Sequence, residues 1–321
     1  MLREFLPSVL AHSDDAQIIV ADNGSTDDSV AVLTAEFPEV EIIKLGKNYG
    51  FATGYNRAIS QIDTRYIVLL NSDVKVTTGW LRPLKETLMD HANVVAVQPK
   101  IRSYLNPEYF EYAGAAGGYL DSLGYPYCRG RIFDTIEKDT GQYDDSVQVD
   151  WTSGACMMVR TAAYKEAQGL DDSFFAHMEE IDLCWRWRNM GYTLLCNPAS
   201  LVYHLGGGTL ATGSNRKFYL NFRNSLVTML KNNRSGLRYG KLFIRMVLDG
   251  VAGFKFAIQG RPVLLWVILK AHLSFYSRMI KTLQKRRLLK TSWGEKLVAT
   301  QSVLSIVFKY YLAGKKNFNE L

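Results

Sequence analysis

Cysteine is scarce in this 321-residue chain: only Cys128, Cys156, Cys184 and Cys196 are present. They are too few and too far apart for a disulfide-stapled fold or for a zinc site built on close cysteine pairs, and they suit a reducing compartment. Long apolar runs are missing too. The best, Pro262 to Leu269, is closed by Arg261 and Lys270, well short of the ~18 residues that a membrane crossing asks for. The start, Met1-Leu2-Arg3-Glu4, has none of the layout of a signal peptide. The expectation is a chain that neither spans a membrane nor carries a visible export signal. Acidic residues are nearly absent from the last third. Residues 214–321 hold 3 Asp+Glu against 21 Lys+Arg, a net +18, whereas residues 1–213 hold 28 against 17, a net −11. An acidic part suits a site that holds a cation or works with carboxylates. A basic, aromatic-rich part suits an anionic surface, either lipid headgroups or nucleic acid.

The composition is otherwise that of a folded protein, with 47% hydrophobic and 21% charged residues, and it excludes wholesale disorder. At roughly 150 residues per domain, the length fits one large domain with an appendage or two modest ones, and the charge break at Gly213 gives the division 1–213 and 214–321. The apolar run Ile18-Ile19-Val20-Ala21 ends in Asp22-Asn23-Gly24-Ser25-Thr26-Asp27-Asp28, a turn cluster able to cap a helix. This strand–loop–helix unit recurs. Val40 to Leu45 reads as a strand, Gly46 to Gly54 as a glycine-rich loop and Tyr55 to Gln61 as helix. Arg65 to Leu70 is a strand closed by Asn71-Ser72-Asp73, and Val94 to Val97 is another. The alternation predicts an α/β fold, a mostly parallel sheet with helices on both faces and ligands beyond the carboxyl ends of the strands, so the loops after Val20, Leu45 and Leu70 should converge.

Residues 103–148, rich in Tyr and Gly, read as an insertion shaping an acceptor side. Val149 to Val159 is strand-like, and helices are predicted near Thr161 to Ala167 and from Glu179 to Met190. A strand from Thr193 to Tyr203 leads into His204-Leu205-Gly206-Gly207-Gly208-Thr209. Beyond Lys217 the pattern is helix with basic punctuation. Leu242, Ile244, Val247, Leu248, Val251 and Phe254 form a stripe that fits either a helix lying on a membrane or a hairpin packed against the rest of the protein.

Five features could carry chemistry, each with a plainer alternative. Asp22, at a strand end, is placed to accept hydrogen bonds from a nucleobase or ribose, or to make an Asx-type turn. The two glycines of Lys47 to Asn56 let backbone N–H groups approach a phosphate or sugar at a helix start, as would an ordinary strand-to-helix turn. Asp73 can hold Mg²⁺ or Mn²⁺, or cap a turn. Glu179-Glu180-Ile181-Asp182 gathers carboxylates at a helix start, where they could serve a site or merely complement the helix dipole and pair with Arg186. His204, on its glycine loop, could complete a metal shell with Asp73 or be a satisfied core residue.

In this order, Ala21-Asp22-Asn23-Gly24-Ser25-Thr26-Asp27, Asn48 to Asn56, Leu70-Asn71-Ser72-Asp73, Ser153-Gly154-Ala155, Glu179 to Leu183 and His204-Leu205-Gly206-Gly207 resemble the family 2 glycosyltransferases of GT-A fold, especially their rhamnosyltransferase-like bacterial branch, over about residues 1 to 230. The resemblance implies a nucleotide-sugar donor held by Asp22, Asn23, Ser25, Asn48, Gly50, Gly54, Asn56, Asn71 and Ser72. It implies a divalent metal, Mg²⁺ or Mn²⁺, at Asp73 and His204. Glu180 falls on the general-base position, with Asp182 and Glu179 in reserve. Two departures stand out. Asn71 replaces the first acid of the family's metal-binding Asp-x-Asp. The opening Val-Val-Ile strand with its Tyr-Asn turn is also missing, since Met1 to Leu10 reads as the helix that follows it, so that strand is expected to precede Met1.

The implied activity is inverting, metal-dependent transfer of a sugar to a lipid-linked or polysaccharide acceptor in cell-surface glycan synthesis. The alternative is a catalytically inactive nucleotide-sugar-binding protein. The basic tail would hold a cytoplasmic, peripheral enzyme at the anionic inner face of the plasma membrane. No nucleic-acid partner is expected, because the basic residues interleave with apolar stripes and no recognised nucleic-acid motif is present.

Overall fold

The computed structural model describes residues 1–13, 15–206, 213–295, 297–298 and 303–321. Gly207, Gly208 and Thr209 of the His204 loop lie outside the described residues. Helix α1 (Leu2–Ala11) buries Phe5, Leu6 and Val9. Strand β1 (Ile19–Asp22) pairs in parallel with β2 (Glu41–Lys44) across helix α2 (Ser29–Glu36). Then come α3 (Gly50–Ile59), β3 (Tyr66–Leu70), β4 (Val74–Val76), α4 (Leu81–Asp90) and β5 (Val94–Ser103). The predicted insertion forms its own small sheet of β6 (Gly118–Leu120), β7 (Pro126–Cys128), β8 (Arg131–Ile132) and β9 (Thr135–Ile136), followed by β10 (Val147–Gln148). β11 (Cys156–Arg160), α5 (Thr161–Glu166), α6 (Glu179–Met190) and β12 (Thr193–His204) close this part. Helices α7 (Asn215–Asn232), α8 (Arg238–Ile258), α9 (Val263–Leu289) and α10 (Ile306–Tyr311) follow.

The main sheet runs β10-β12-β5-β11-β3, with β4 also on β12. It is α/β, as expected, but mixed instead of mostly parallel: β5 and β12 are parallel, while β11 is antiparallel to both β3 and β5. The cause lies in the insertion. A parallel neighbour needs a crossover that returns the chain to the strand's starting end. Residues 104–155 place no helix across the sheet, and β11 re-enters from the end at which β5 left.

Among the described residues β1 and β2 pair only with each other, β3 has a partner only on its β11 side, and no strand lies between the two sheets. Side chains make the join instead. Ile18, Val20, Ile42, Val68 and Leu70 pack on one apolar cluster with Leu6, Val9, Leu33, Trp80 and Leu84.

The C-terminal helices are not a loose appendage. Helix α7 buries Arg223, Asn224, Lys231 and Asn232 and meets α6 through an ion network. Asp182 Oδ2 lies 2.8 Å from Lys231 Nζ and 3.0 Å from Arg186 Nε, and its Oδ1 accepts from Asn232 Nδ2 at 2.7 Å. Lys231 also reaches Asp171 at 2.5 Å, which Lys285 of α9 contacts from the other side. Asp182 is therefore corrected from reserve base to structural anchor: it is fully buried, and both its oxygens are taken by cations and an amide.

α8 is inverted relative to an ordinary amphipathic helix. Its buried side is Leu242, Arg245, Asp249 and Gly253, with Arg245 donating to Asp249 and to Leu123 O. Phe243, Ile244, Val247, Val251, Phe254 and Ile258 are exposed. Of the expected stripe only Leu242 is buried. Helix α9 is long and apolar enough, by length and composition, to cross a membrane. The uninterrupted-run criterion missed it because Lys270 and Arg278 punctuate an otherwise apolar stretch. One edge, Leu264, Ile268, Ala271 and Phe275, is nevertheless buried within the protein.

Removing one member of a buried ion cluster strands its partners at a cost of about 3–5 kcal/mol. Asp182→Ala is therefore expected to lower the unfolding free energy by about that amount, measured by denaturant melts. The Asp171 carboxyl is pushed up by burial but, more strongly, drawn down by Lys231 and Lys285, and ends below the ordinary carboxylate range. Its contribution is complete above the unfolded-state pKa, ~4, and is lost as pH falls through the folded-state value. Wild-type stability should fall on acidification below that point.

Candidate active site

The three loops expected to converge do so. Asn23 at the end of β1 accepts from Tyr49 N and donates Nδ2 to Gly50 O, both at 3.0 Å. A Cβ on Gly24, at φ +77°, would lie 2.5 Å from the Lys47 backbone. Tyr55 of α3 donates its hydroxyl to Leu70 O at the end of β3. From there Asn71 N donates to Ala155 O at 2.9 Å, which brings the Ser153-Gly154-Ala155 loop alongside. A Cβ on Gly154 would stand 3.5 Å from Glu180 Cβ and from Phe51 Cζ, so the first turn of α6 faces the same loop.

Within this frame several predicted donor contacts have structural work. Asp22 Oδ1 accepts from Ser25 N at 3.0 Å, an Asx-type turn, and Ser25 is exposed. Asn48 Oδ1 accepts from Gly50 N, and Gly54 makes room for the Asn23 amide, which a Cβ would meet at 3.0 Å. Asn56 requires outright correction as a donor contact. Its Nδ2 donates to Leu170 O and Asp172 Oδ1, while its Oδ1 accepts from Tyr164 Oη and Leu170 N. That amide is saturated and clamps the 170–172 loop. Asn71 is half-buried and Ser72 exposed beside Asp73.

Asp73 and His204 meet, because β4 pairs with β12 in the register Val74↔His204. Asp73 Oδ1 stands 3.2 Å from His204 Nε2, and Glu111 Oε1 stands 3.4 Å from Nδ1. All three are buried. Burial opposes charge on the imidazole, but the two carboxylates outweigh it and raise its pKa to about 9. Burial likewise pushes the Asp73 carboxyl up, and His204 more than reverses this, leaving it below the usual range. Glu111 escaped the sequence reading because it sits in an insertion without periodicity, where nothing marks one acid among its neighbours.

Neither ring nitrogen of His204 is aligned as a hydrogen bond, and no three His, Cys, Asp or Glu side chains among the described residues form a ready metal cage. Once the imidazole gives up its proton, a buried nitrogen and a carboxylate oxygen at one point, with a second carboxylate behind the ring, would fit a divalent cation.

The approach to α6 is strained. Phe175, His177 and Met178 all have positive φ, 69° to 73°, a region that costs a non-glycine residue about 1–3 kcal/mol and is typical of functional segments. The turn is held by Phe51 N donating to Phe175 O and by Asn224 Nδ2 donating to the carbonyls of Phe174, Ala176 and His177. It delivers Glu179 and Glu180 with their Oε2 atoms buried and lacking a hydrogen-bond partner. Burial raises the Glu180 carboxyl to about 7. Burial and the neighbouring Glu180 also push the Glu179 carboxyl well above the ordinary range.

Gly50 lies against this turn at φ +79°, and a Cβ there would be 2.7 Å from Phe175 Cδ2. Gly50→Ala is expected to cost roughly 1–3 kcal/mol of stability, read from a thermal or denaturant melt.

A model of the family described as glycosyl transferase family 2 matches residues 1–166. The chain is 28% identical over 222 residues to N-acetylglucosaminyl-diphospho-decaprenol L-rhamnosyltransferase of Mycobacterium tuberculosis, covering 63% of this chain and 71% of that protein. It is 24% identical over 231 residues to rhamnosyltransferase WbbL of Escherichia coli, covering 68% and 81%. Among solved structures it resembles GalNAc-T7 with UDP, GalNAc and Mn²⁺, at a TM-score of 0.54 and 14% identity over 72% of this chain and 45% of that one. It also resembles the mannosyltransferase PcManGT from Pyrobaculum calidifontis in complex with GDP-Man and Mn²⁺, at 0.50 and 12% over 92% and 84%. These likenesses show the GT-A fold. With more than half of its length matched by the family model and rhamnosyltransferases among its relatives, the chain belongs to glycosyl transferase family 2 and is a glycosyltransferase.

Proposed function

We propose that this chain moves a hexosyl group, with rhamnose as the family-level candidate, from a nucleoside diphosphate to a lipid-linked saccharide in one inverting displacement, and that Glu180 is its general base. The acceptor hydroxyl oxygen bonds to the anomeric carbon as the bond from that carbon to the diphosphate oxygen breaks on the opposite face. The hydroxyl proton passes to Glu180. One observation carries the assignment: Asp182 is consumed by cations, and of the two glutamates that keep an unpartnered buried oxygen, it is Glu180 whose side chain stands beside Gly154 of the 153–155 loop. A carboxyl tuned close to neutrality is suited to accept a proton in the transition state.

Asp22, the 48–50 backbone, Asn71 and Ser72 would receive the nucleotide and sugar, and Asp73 with His204 would hold Mg²⁺ or Mn²⁺. When bound, such a cation neutralises charge developing on the departing diphosphate. Glu111 would fix the orientation of the His204 ring. The solved relatives carry Mn²⁺ with their nucleotides, which supports a divalent metal. The lipid-diphosphate acceptor in the name of the mycobacterial relative supports a lipid-linked acceptor here.

Residues 1–213 are read as the catalytic part and 214–321 as the part that lies on the cytoplasmic face of the membrane. The exposed apolar residues of α8, turned outward while Arg245 and Asp249 are buried, support this, since apolar residues are ordinarily on the inside. The lipid-facing and hairpin alternatives thus combine: one edge packs and the other faces out.

Glu180→Gln is expected to leave donor affinity unchanged and to cut turnover by roughly 10²–10⁴-fold. Because a base works only when deprotonated, wild-type turnover should rise with pH through about 7. Unchanged turnover in the variant with a flat wild-type profile would dismiss the assignment, and donor binding with neither transfer nor hydrolysis would favour the inactive binding protein. Replacing Val251 and Phe254 together by Glu should weaken binding to vesicles containing anionic lipid by more than about tenfold, from the apolar surface left in water, without lowering the melting temperature. Flotation and a thermal melt check both halves.

A further inference from the structure

A cavity of about 210 Å³ lies between the 171–174 loop, α7 and α9, and neither Asp73 nor His204 lines it. Five cations line it: Arg223 and Lys231 from α7, and Arg278, Lys281 and Lys285 from α9, against the single carboxylate of Asp171. Lys231 and Lys285 already share Asp171, and Lys231 also holds Asp182. Arg223, Arg278 and Lys281 have no ion-pair partner among the described residues.

Arg223 is the telling member. It is buried, yet its Nε donates to Asn224 Oδ1 and its Nη2 to Phe174 O, both neutral acceptors. Burial, and then the neighbouring Arg278, disfavour its charge. Two guanidinium groups and an ammonium around one cavity repel one another and are stabilised by an anion. Planar guanidinium forks match phosphate oxygens in geometry.

The surroundings say what bears the anion. Leu273, Tyr276 and Ile280, beside Arg278 and Lys281 on α9, are exposed, so the cationic wall borders an apolar surface. Phe174, in the opposite wall, belongs to the turn that delivers Glu180. We propose that this cavity binds the diphosphate head of a long-chain lipid through Arg223, Arg278 and Lys281, seating a lipid-linked acceptor with its chain along α9 and its sugar towards the α6 turn. Three uncompensated cations suit a group with more than one negative charge. The choice of a lipid rests on the acceptor reading above; the anion site does not.

The test uses the full chain with divalent metal chelated, which removes the metal-dependent contribution of the donor site. Inorganic diphosphate should bind wild type saturably in calorimetry, and the Arg278→Gln, Lys281→Gln double variant should bind at least about tenfold more weakly, the loss expected for charge-assisted bonds. Lys281 is exposed and Arg278 half-buried, and neither has an ion-pair partner among the described residues, so the melting temperature should not fall. Equal binding by the two proteins overturns the site. Phosphatidylcholine vesicles carrying a polyprenyl diphosphate are then compared with vesicles of equal surface charge carrying phosphatidylglycerol. Wild type should prefer the former and the double variant should lose that preference. Equal binding to both vesicles overturns the lipid source. A preference retained by wild type but lost in the variant, with no sugar transfer by either, would keep the cavity assignment and remove the acceptor reading instead.

Discussion

Everything near the candidate base hangs on a few buried charges between α6 and α7. Asp182 is inaccessible to solvent, is neutralised by Lys231 and Arg186, and accepts a hydrogen bond from Asn232. Such a cluster contributes little net stability over a hydrophobic replacement, but it tolerates few arrangements, because each misplaced member leaves a buried charge unpaired. Its effect is therefore positional. It fixes the rotation of the first turn of α6 against α7, and with that it decides which of three neighbouring acids faces inward to the cations and which faces the 153–155 loop.

The same contact explains how a strained turn persists. Phe175, His177 and Met178 hold backbone conformations that cost each of them free energy. Asn224 on α7 offsets this with its side-chain amide, whose Nδ2 lies within reach of three carbonyls of that turn. The C-terminal helices thus supply part of the scaffold for chemistry assigned to the N-terminal part. Sequence-level separation at Gly213 marks a change of charge and composition, while packing runs straight across it.

The basic C-terminal part also shows why charge counts alone mislead. Its excess of Lys and Arg divides into three uses: Lys231 and Arg245 neutralise buried acids, Arg223 with Arg278 and Lys281 lines a cavity, and others remain at the surface beside exposed apolar residues. A helix such as α8, with an ion pair inside and phenylalanines outside, is costly in water and natural against a lipid surface.

Much was legible in the sequence. The strand-end turns at Asp22 and Asp73, the bounds of α6 and the strand ending in His204 all follow from local periodicity and turn chemistry, and the loops met as the α/β pattern requires; the stretch read as a loop to Gly54 is already helix from Gly50, because the turn before it is shorter than its glycines suggest. Local signals could not tell Glu180 from Asp182, since both are acids in one helical turn and differ only in what packs against them. They could not reveal that Asn56 is saturated by a loop more than a hundred residues away, that Glu111 backs His204, or that β11 runs against its neighbours, because each depends on where the insertion returns the chain. The sequence by itself determined the element types and the acidic and basic halves, which arise from interactions between near neighbours. Only the tertiary structure decided which polar groups are spent on the fold and which remain to act, because burial and long-range partners set the free energy of every charge.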